Sequence, residues 1–413
     1  MRRREPKKAV EKRSDGQLIT RRTLLTTAAV GIGTAMTNAT VVASSSAQEA
    51  SAQGAEAAGH ERRLVSELGE RSPFEQPERL VRRVAPSANS LTPLQDLQGV
   101  ITPSDLHYER HHTGVPIIDP DKYTLRIEGM VERPTTFTLK DLQSLPEHSE
   151  LRFMECGSNG GRAFSGIKED QTPQQIDGRV STSEWVGVYL SALFDAVGVK
   201  DDATWFRAEG HDGGWDYAIP LVDRFGDSLI AYGQNGEALR PEQGYPVRMI
   251  LAGHPGGPNI KWLSRLELNG DPMPEQAVTA FSSEIGAKSL ITYPAYPNVL
   301  SEPGPITISG LAWAGRGKIT RVDISTNGGA TWAPAELQAP VLSRCQTRFR
   351  YRWNWDGGEA MLMSRAEDET GDVQITLEAA RAAREANNDI RHWNTNIRAW
   401  AVREDGSVVF GLS

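Results

Sequence analysis

A short stretch in the first half of the chain, residues 154–164, constrains the fold most. It reads Met-Glu-Cys-Gly-Ser-Asn-Gly-Gly-Arg-Ala-Phe and holds one of only two cysteines in 413 residues. Residues 150–155 are typical of a β-strand, so Cys156 lies where a strand opens into a glycine-rich loop. Glycines have no Cβ, so this loop can approach a bulky group closely. Arg162 follows, and a guanidinium binds oxyanions through a planar fork of donors. The stretch predicts a metal or cofactor site that handles an anion.

Cys156 also has two simpler interpretations. A lone cysteine in a globular protein is most often a small buried hydrophobe. In an exported protein, Cys156 and Cys345 could instead form a disulfide. Single-cysteine motifs transfer poorly between families, so other parts of the chain must decide between these interpretations.

The N-terminus has the pattern of an export signal. Residues 1–13 are strongly basic, Arg21 and Arg22 form a twin-arginine pair, and a weakly apolar run follows at 24–36. Small residues at 45–47 offer a cleavage site, so residues 1–47 are predicted to be a twin-arginine signal peptide. That route exports folded proteins to the periplasm, which suits a cofactor inserted in the cytoplasm. The apolar run is too short and polar to span a membrane stably, so no membrane span is expected in the mature chain.

The charge balance narrows the classes of partner. The chain has 45 Lys and Arg against 53 Asp and Glu, a formal net charge of −8. The predicted signal peptide is basic, so the remainder is more acidic still. An acidic chain of this kind is not expected to bind nucleic acid in general. An anionic substrate would need a local cluster of arginines to counter the overall field.

The composition divides the rest of the chain into three parts. Residues 48–95, rich in Ala, Glu, Gln, Ser and Arg, are predicted to be a flexible segment or an arm on a partner. Helix is expected there at 62–68 and 77–84. Residues 96–285 interleave strands, turns and short helices, which indicates a mixed α+β domain. A capped helix is expected after Thr138, and another at 190–197, ending at Gly198.

The last part, residues 290–413, is predicted to be all-β. Short strands and turn signals such as Asn327-Gly328 recur at regular spacing, as in an immunoglobulin-like sandwich. Between 348 and 355 aromatic residues alternate with arginines and Asn354, which predicts a strand with one face in the core and one in solvent. A helical insertion is expected at 378–385.

Three further polar segments carry cations, and two of them also contain glycine. Each is ordinary by itself, because His-His pairs are mostly surface features and an arginine after a turn is mostly solvated. Together they fit an extended anionic cofactor, since phosphate is bound by backbone N–H groups and by Lys or Arg. The segments are Tyr-Glu-Arg-His-His at 108–112, Gln-Gly-Tyr-Pro-Val-Arg at 243–248 and Gly-Gly-Pro-Asn-Ile-Lys-Trp-Leu at 256–263.

Five ordered motifs resemble the sulfite oxidase family of molybdenum enzymes, and the resemblance runs from about Thr102 to the C-terminus. It implies an α+β molybdopterin-binding domain of sulfite oxidase type, followed by an all-β immunoglobulin-like sandwich that mediates dimerisation. Two other runs, 242–246 and 345–350, are similar to the sulfane dehydrogenase subgroup of bacterial thiosulfate-oxidising systems. The five motifs lie at 156–159, 184–188, 229–236, 244–248 and 260–263.

The resemblance also implies roles for individual residues. Cys156 matches the cysteine whose soft thiolate ligates molybdenum. His112, Arg248 and Lys261 match positions that hold the pterin and its phosphate. The substrate side is implied to contain three catalytic residues: Arg110, which faces a sulfur oxyanion, Arg162, and Trp185, which lines the pocket.

Three departures from the family pattern bear on the substrate. Relatives that oxidise sulfite commonly have an arginine at the position of Gly161, and here Arg162 comes one residue later. The active-site tyrosine of the family is not evident at 269–272, and Gln243 stands where many relatives have histidine. These changes favour a more open pocket that receives a sulfur group carried on a protein.

The resulting hypothesis is a periplasmic two-electron oxidation at sulfur by oxygen-atom transfer, with molybdenum-molybdopterin as cofactor. The chain has no Cys-x-x-Cys-His motif, so no haem is expected on it, and electrons are expected to pass to a c-type cytochrome. A sulfur-carrier protein and a second copy of the chain, bound through the C-terminal domain, are the other expected partners. The alternatives are a sulfite dehydrogenase, a sulfoxide reductase and a non-catalytic periplasmic binding module.

Overall fold

The computed structural model describes residues 69–411, apart from residues 70, 85, 214–215, 222–225, 272–283 and 388–393. The predicted signal peptide at 1–47 and the helix expected at 62–68 lie outside the described residues. The chain from Ser72 onward forms one compact unit. No helix in the described part of the chain has the length and apolar character needed to cross a membrane.

The first domain is built on two five-stranded sheets and four short helices. Its helices are α1 (Leu139–Gln143), α2 (Gly161–Phe164), α3 (Pro173–Asp177) and α4 (Leu190–Val197). Its strands, with a preceding hairpin β1 (Leu80–Arg83) and β2 (Asn89–Leu91), are β3 (Thr124–Gly129), β4 (Thr135–Thr138), β5 (His148–Glu155), β6 (Val180–Tyr189), β7 (Trp205–Gly210), β8 (Asp216–Pro220), β9 (Leu229–Gln234), β10 (Glu237–Ala238), β11 (Arg248–Ile250) and β12 (Leu263–Asn269).

One sheet carries the motifs around Cys156. It has the order β10-β9-β6-β5, with β11 also paired to β9, and its pairings are antiparallel. The other sheet has the order β4-β3-β12-β7-β8, in which β3 and β12 run parallel. Because β5 and β6 pair along their full lengths, the end of β5 is held firmly where Cys156 leaves the sheet.

The two predicted helices of this domain are confirmed. The side chain of Thr138 accepts a hydrogen bond from the backbone of Asp141, and Asp141 returns one, so α1 begins with a capping box. In α4 the residues at helical spacing point into the core, and Gly198 ends the helix in the left-handed region at φ 69°.

The C-terminal domain packs two antiparallel sheets face to face. Their orders are β13-β14-β18-β17 and β16-β15-β19-β20-β21. Helix α5 (Leu377–Asn387) is inserted between β19 and β20, as predicted for 378–385. The strands are β13 (Lys288–Tyr293), β14 (Gly304–Trp313), β15 (Ile319–Ser325), β16 (Ala333–Pro334), β17 (Glu336–Gln338), β18 (Thr347–Trp355), β19 (Ala360–Asp368), β20 (Ala399–Val402) and β21 (Val408–Gly411). The predicted fold class, α+β followed by an all-β sandwich, is confirmed.

The helix expected at 77–84 is wrong. Residues 80–83 form β1, which pairs with β2, and their exposure alternates with a period of two. Strand pairing thus overrides the helical propensity of this segment. The following residues Leu91 and Leu94 are almost fully buried, so the end of the segment predicted as a tether or arm belongs to the folded body.

The two domains share one apolar core. Phe153 and Val180 of the first domain lie in the same buried cluster as Leu290 and Trp313 of the second. This continuity places the loop after β5 at the boundary between the domains, where both can contact it.

Candidate active site

A cavity of about 410 Å³ opens at the end of β5. Five of the predicted site residues line it together: Arg110, His112, Cys156, Arg248 and Lys261. They come from segments that are up to about 150 residues apart in the sequence, so the fold assembles them. The volume is within the usual range of ligand and cofactor sites.

Cys156 presents its thiol to this cavity from the turn that follows β5. Its backbone N–H donates to Arg179 O at 3.0 Å, and its carbonyl accepts from Asn159 N at 2.8 Å. Its Sγ lies 3.3 Å from Ser158 Oγ. Both Cys156 and Cys345 are free thiols, so the disulfide alternative does not apply. Cys345 is buried, and burial raises its pKa to about 11.

Arg248, at the start of β11, is a buried cation with an unused donor. Its Nη1 donates to Gln243 O at 2.9 Å, and its guanidinium carbon lies 4.9 Å from the ring centre of Trp185. Nε has no hydrogen-bond partner although it is buried. Burial lowers the pKa of Arg248 to about 10. A buried guanidinium with an unsatisfied N–H is costly unless an acceptor completes the site.

Lys261 is the second cation of the cavity floor. Its Nζ donates to the carbonyls of Glu242 at 2.9 Å and Arg110 at 3.2 Å, and it lies 4.5 Å from the ring centre of Trp262. Burial and then the nearby charge of Arg248 lower the pKa of Lys261 to about 7. A bound anion would reverse that effect, because it favours the ammonium form.

Arg110 and His112 meet at the other side of the cavity. Arg110 Nη1 donates to His111 O at 2.6 Å, and Nη2 lies 3.2 Å from His112 Nδ1. Burial lowers the pKa of both side chains. The neutral imidazole can therefore accept from Arg110, which fixes the guanidinium in the wall of the cavity.

The glycine loop at 256–257 lets the backbone pass close to the Cys156 turn. Gly256 N donates to Glu155 O at 2.6 Å. A Cβ at Gly257 would lie 2.7 Å from the hydroxyl oxygen of Tyr217, so any other residue there would require the Tyr217 side chain to shift. Asn259 holds the loop from inside by donating to Pro255 O at 2.8 Å and accepting from Leu251 N at 2.6 Å.

Two predicted catalytic residues are not among those that line the cavity. Trp185 is fully buried on β6, and its ring packs under Arg248. The expectation that it lines the pocket is not met, because the guanidinium lies between the indole and the cavity. Arg162 lies on the short helix α2, and its side chain is exposed.

The sequence did not indicate Arg179. Its side chain is linked to Cys156 through hydrogen bonds, whereas the side chain of Arg162 is exposed. Arg179 Nη1 donates to Ser158 Oγ at 2.9 Å and to Ser158 O at 3.2 Å. The hydroxyl of Ser158 thus links this guanidinium to the sulfur of Cys156. No motif marks Arg179, because its position depends on the pairing of β5 with β6.

A buried ion network lies directly behind Cys156. Lys288 Nζ contacts Glu155 Oε1 at 2.5 Å and Asp177 Oδ1 at 3.3 Å. Arg398 contacts Asp177 at 2.9 and 3.1 Å. All four side chains are nearly inaccessible to solvent. Two carboxylates of the first domain are thereby neutralised by two cations of the second.

Further contacts tie this network to the loop of Cys156. Trp313 Nε1 donates to Glu155 Oε2 at 2.6 Å, and Asn159 Nδ2 donates to Glu155 Oε1 at 2.9 Å. Gly160 has φ 77°, and a Cβ there would lie 2.4 Å from Arg398 Nη2. The family resemblance also implies that polar side chains among Arg391, Trp393, Asn394 and Arg398 extend toward the active site. Arg391 and Trp393 lie outside the described residues, whereas Arg398 joins the buried network through Asp177.

The residues present fit a cofactor that carries its own metal ligands and an anionic group. Within the described ranges, no three His, Cys, Asp or Glu side chains are grouped so that they could hold a metal ion. One soft thiol lies in the cavity beside Arg248, whose buried Nε lacks a partner. Cys156 would supply the protein's bond to a metal, and Arg248 and Lys261 would hold the anionic group.

Family models match both domains of the chain. An oxidoreductase molybdopterin binding domain matches residues 112–277, and a Mo-co oxidoreductase dimerisation domain matches residues 280–398. These matches define the class: the protein is a molybdopterin-dependent oxidoreductase.

Individual relatives indicate the family within this class. The chain is 31% identical over 316 residues to mitochondrial sulfite oxidase of Drosophila melanogaster, covering 68% of this chain and 54% of that one. It is 30% identical over 312 residues to nitrate reductase [NADH] of Ulva prolifera, covering 65% and 36%. The chain thus spans about a third to a half of the length of these curated relatives.

Among solved structures, the sulfane dehydrogenase SoxCD from Paracoccus pantotrophus is 35% identical with a TM-score of 0.78. The match covers 86% of this chain and 97% of that one. The chain belongs to the sulfite oxidase family of molybdopterin oxidoreductases, as its sequence motifs predicted.

Proposed function

We propose that this protein oxidises a sulfur centre carried on a protein, as in thiosulfate oxidation, and passes the electrons to a c-type cytochrome. The observation that carries the proposal is the match to the sulfane dehydrogenase chain over nearly its whole length. The mouth of the cavity adds support, because Gly157 and Ser158 beside Cys156 are exposed. A sulfur atom on a tether can reach such a site without being enclosed.

When bound, the molybdenum cofactor supplies a two-electron redox centre for oxygen-atom transfer. Each step of the overall reaction adds one oxygen atom from water to sulfur and releases two protons and two electrons. The electrons need an acceptor outside the chain, which we assign to a c-type cytochrome. We also propose homodimerisation through the C-terminal domain and a periplasmic location after export by the signal at 1–47.

In this reaction the side chains of the protein bind the cofactor, orient the substrate and fill the space beneath Arg248. Arg110, fixed by His111 O and His112, offers its charge to the anionic sulfur group and aligns the lone pair. Arg248 and Lys261 neutralise the anionic part of the cofactor, and Trp185 closes the space beneath Arg248. Cys156 is held at its backbone by Arg179 and Asn159, so the thiolate has a fixed direction.

Oxidation of free sulfite is the second candidate, because a sulfite oxidase is among the relatives. Against it, Gly161 replaces the arginine that sulfite-oxidising relatives commonly have, and Arg162 does not take its place in the cavity.

The deciding experiment compares two substrates with one holoenzyme and one cytochrome c acceptor. The first substrate is a small protein bearing a cysteine persulfide, and the second is free sulfite. We expect kcat/KM at least tenfold higher for the persulfide protein, a difference of about 1.4 kcal/mol. Equal or faster turnover of free sulfite would replace the proposal by the sulfite dehydrogenase. No turnover of either by molybdenum-loaded protein would exclude both.

A further inference from the structure

A group of arginines beside the cavity has no acidic partner. We call Arg82, Arg83, Arg110, Arg162 and Arg179 the arginine rim. Four of them donate hydrogen bonds to neutral groups: Arg82 to Gln175 O, Arg83 to Ser87 Oγ, Arg110 to His111 O, and Arg179 to Asn89 and Ser158. Within the described part of the chain, no carboxylate forms an ion pair with any of the five.

The β1–β2 hairpin brings the rim to the cavity. The pairing of β1 with β2 slips between Val81 and Arg83, so that Arg83 pairs with Asn89 and Arg82 is the extra residue of a bulge. Asn89 in turn forms a β-bridge with Arg110, which lines the cavity. The hairpin therefore places two guanidinium groups one strand away from a residue of the site.

Arg179 completes the connection on the opposite side. Its Nε donates to Asn89 Oδ1 at 3.2 Å, and its Nη1 reaches Ser158 beside the thiol of Cys156. Arg162 and Arg179 each lie close enough to Arg82 for their charges to act on it. Burial, followed by the charges of Arg162 and Arg179, lowers the pKa of Arg82 to about 10. The arginine rim is thus one continuous region of positive charge that extends to the cavity.

This positive cluster contrasts with the chain as a whole, whose formal net charge is −8. Uncompensated like charges repel each other, and an anion placed against them relieves the repulsion. The rest of the surface would repel an acidic partner, whereas the rim would attract it and steer the approach. The rim is also wider than a small anion, because its members lie on the hairpin, on α2 and at the start of β6.

We propose that the arginine rim is a docking surface for an acidic segment of a partner protein, which brings the substrate group to the cavity of Cys156. This inference rests on the proposed function in one respect only, namely that the partner carries a sulfur group. The attraction between the rim and an acidic segment is independent of the reaction.

Binding of a labelled peptide to the holoenzyme tests the proposal. The probe is a peptide of alternating Asp and Gly, and a Ser/Gly peptide of equal length is the neutral control. At about 0.01 M salt, where screening extends over about 30 Å, we expect the acidic peptide to bind and the neutral one not to bind. Arg82→Gln combined with Arg83→Gln should weaken binding at least fivefold, and about 0.15 M salt should remove most of the difference.

A matched double variant separates the rim from the general charge of the protein. Lys140→Gln with Lys200→Gln removes the same charge from two exposed positions of the same domain, and we expect less than a twofold change. Arg83→Gln alone, at an exposed side chain, covers the case in which the rim double variant folds poorly. The proposal fails if both double variants weaken binding equally or if the two peptides bind equally well. Binding to anionic vesicles but not to the acidic peptide would also contradict it.

Because no turnover is measured, failure of the proposed reaction leaves this test intact. If the persulfide protein is not oxidised but the rim still selects the acidic peptide, the docking surface stands and the substrate is different. If the persulfide protein is oxidised and the rim variant binds the acidic peptide like the parent, only the docking inference is lost.

Discussion

Charged side chains are arranged in opposite ways on the two sides of Cys156. Toward the cavity, Arg110, Arg248 and Lys261 form no ion pair with a carboxylate of the described residues, and burial lowers the pKa of each. Toward the interior, Glu155 and Asp177 are matched by Lys288 and Arg398, with hydrogen bonds to the carboxylates. Cations without a local anion suit the binding of an anion that arrives later, whereas balanced charges suit holding a position. The loop of Cys156 lies between the two sets.

The comparison also gives the C-terminal domain a role beyond dimerisation. Lys288, Trp313 and Arg398 belong to that domain or to the segment entering it. Lys288 and Trp313 contact Glu155, which precedes Cys156, and Arg398 pairs with Asp177, which Lys288 also contacts. A change in the sandwich can therefore reach the thiol through a short chain of buried contacts.

Removing one charge from the buried ion network should have the largest effect, and that effect is on stability. Asp177→Asn leaves a buried positive charge uncompensated, so we expect the free energy of unfolding to fall by about 3–5 kcal/mol. Chemical denaturation of the purified protein measures this. Asp177→Asn with Arg398→Met restores the balance of charge and should recover at least half of the loss. A single variant within about 1 kcal/mol of the parent would contradict the account.

The pH dependence of stability follows from the same group. Burial alone would raise the pKa of Asp177, but Arg398 and Lys288 outweigh it and hold the pKa below its ordinary value. The folded protein thus binds the proton less readily than the unfolded chain. The stabilising contribution is present above the unfolded pKa of about 3.9 and is lost as pH falls through the lower folded value.

Removing a cation from the cavity side should have a different outcome. Arg248→Met deletes a buried charge that has an unsatisfied N–H, so we expect the cofactor-free protein to keep or gain stability. Cofactor retention should fall about tenfold to a hundredfold, because a charge-assisted contact is lost. Thermal unfolding of the cofactor-free form and equilibrium dialysis of the loaded form measure the two effects. Destabilisation as large as that of Asp177→Asn would remove the distinction between the two sides.

The smallest expected effect is a pH dependence of anion binding. The pKa of Lys261 is lowered to about 7 by burial and Arg248, so its charge is present below pH 7 and lost above it. Sulfate keeps its charge across this range, and its affinity for the cofactor-free protein should fall about threefold to tenfold between pH 6 and pH 8. Isothermal titration checks this. Lys261→Met should flatten the profile, and an unchanged profile would show that another group titrates.

The sequence predicted the cavity side well and the interior side hardly at all. Cys156, Arg248 and Lys261 lie in short motifs with glycines, and Arg110 lies in a polar run with two histidines, so the local pattern carries the signal. Asp177 and Lys288 lie in ordinary surroundings, and Arg398 was indicated only as one of several polar residues near the C-terminus. Their meeting depends on how the sandwich packs against β5 and β6. Glu155 was visible only as the residue before the cysteine.

Separation along the sequence is a poor guide to distance from the site, as Arg162, Arg179 and Trp185 show. Arg162 is six residues from Cys156 but points to solvent from α2, whereas Arg179 is far in sequence and joins Ser158 through the pairing of strands. Trp185 was expected in the pocket, but a residue from another strand, Arg248, covers it. The helix predicted at 77–84 is wrong because pairing with β2 decides the conformation of residues 80–83.

The central claim is that Cys156 binds the molybdenum of a cofactor held in this cavity. X-ray absorption at the molybdenum edge, on protein purified from its native source, tests it most directly. We predict about one molybdenum per chain in the parent, and one sulfur ligand fewer in Cys156→Ser. Cys345→Ser, at the buried second thiol, should leave the sulfur ligands unchanged. Folded protein without molybdenum, or the same sulfur count in Cys156→Ser as in the parent, would contradict the claim.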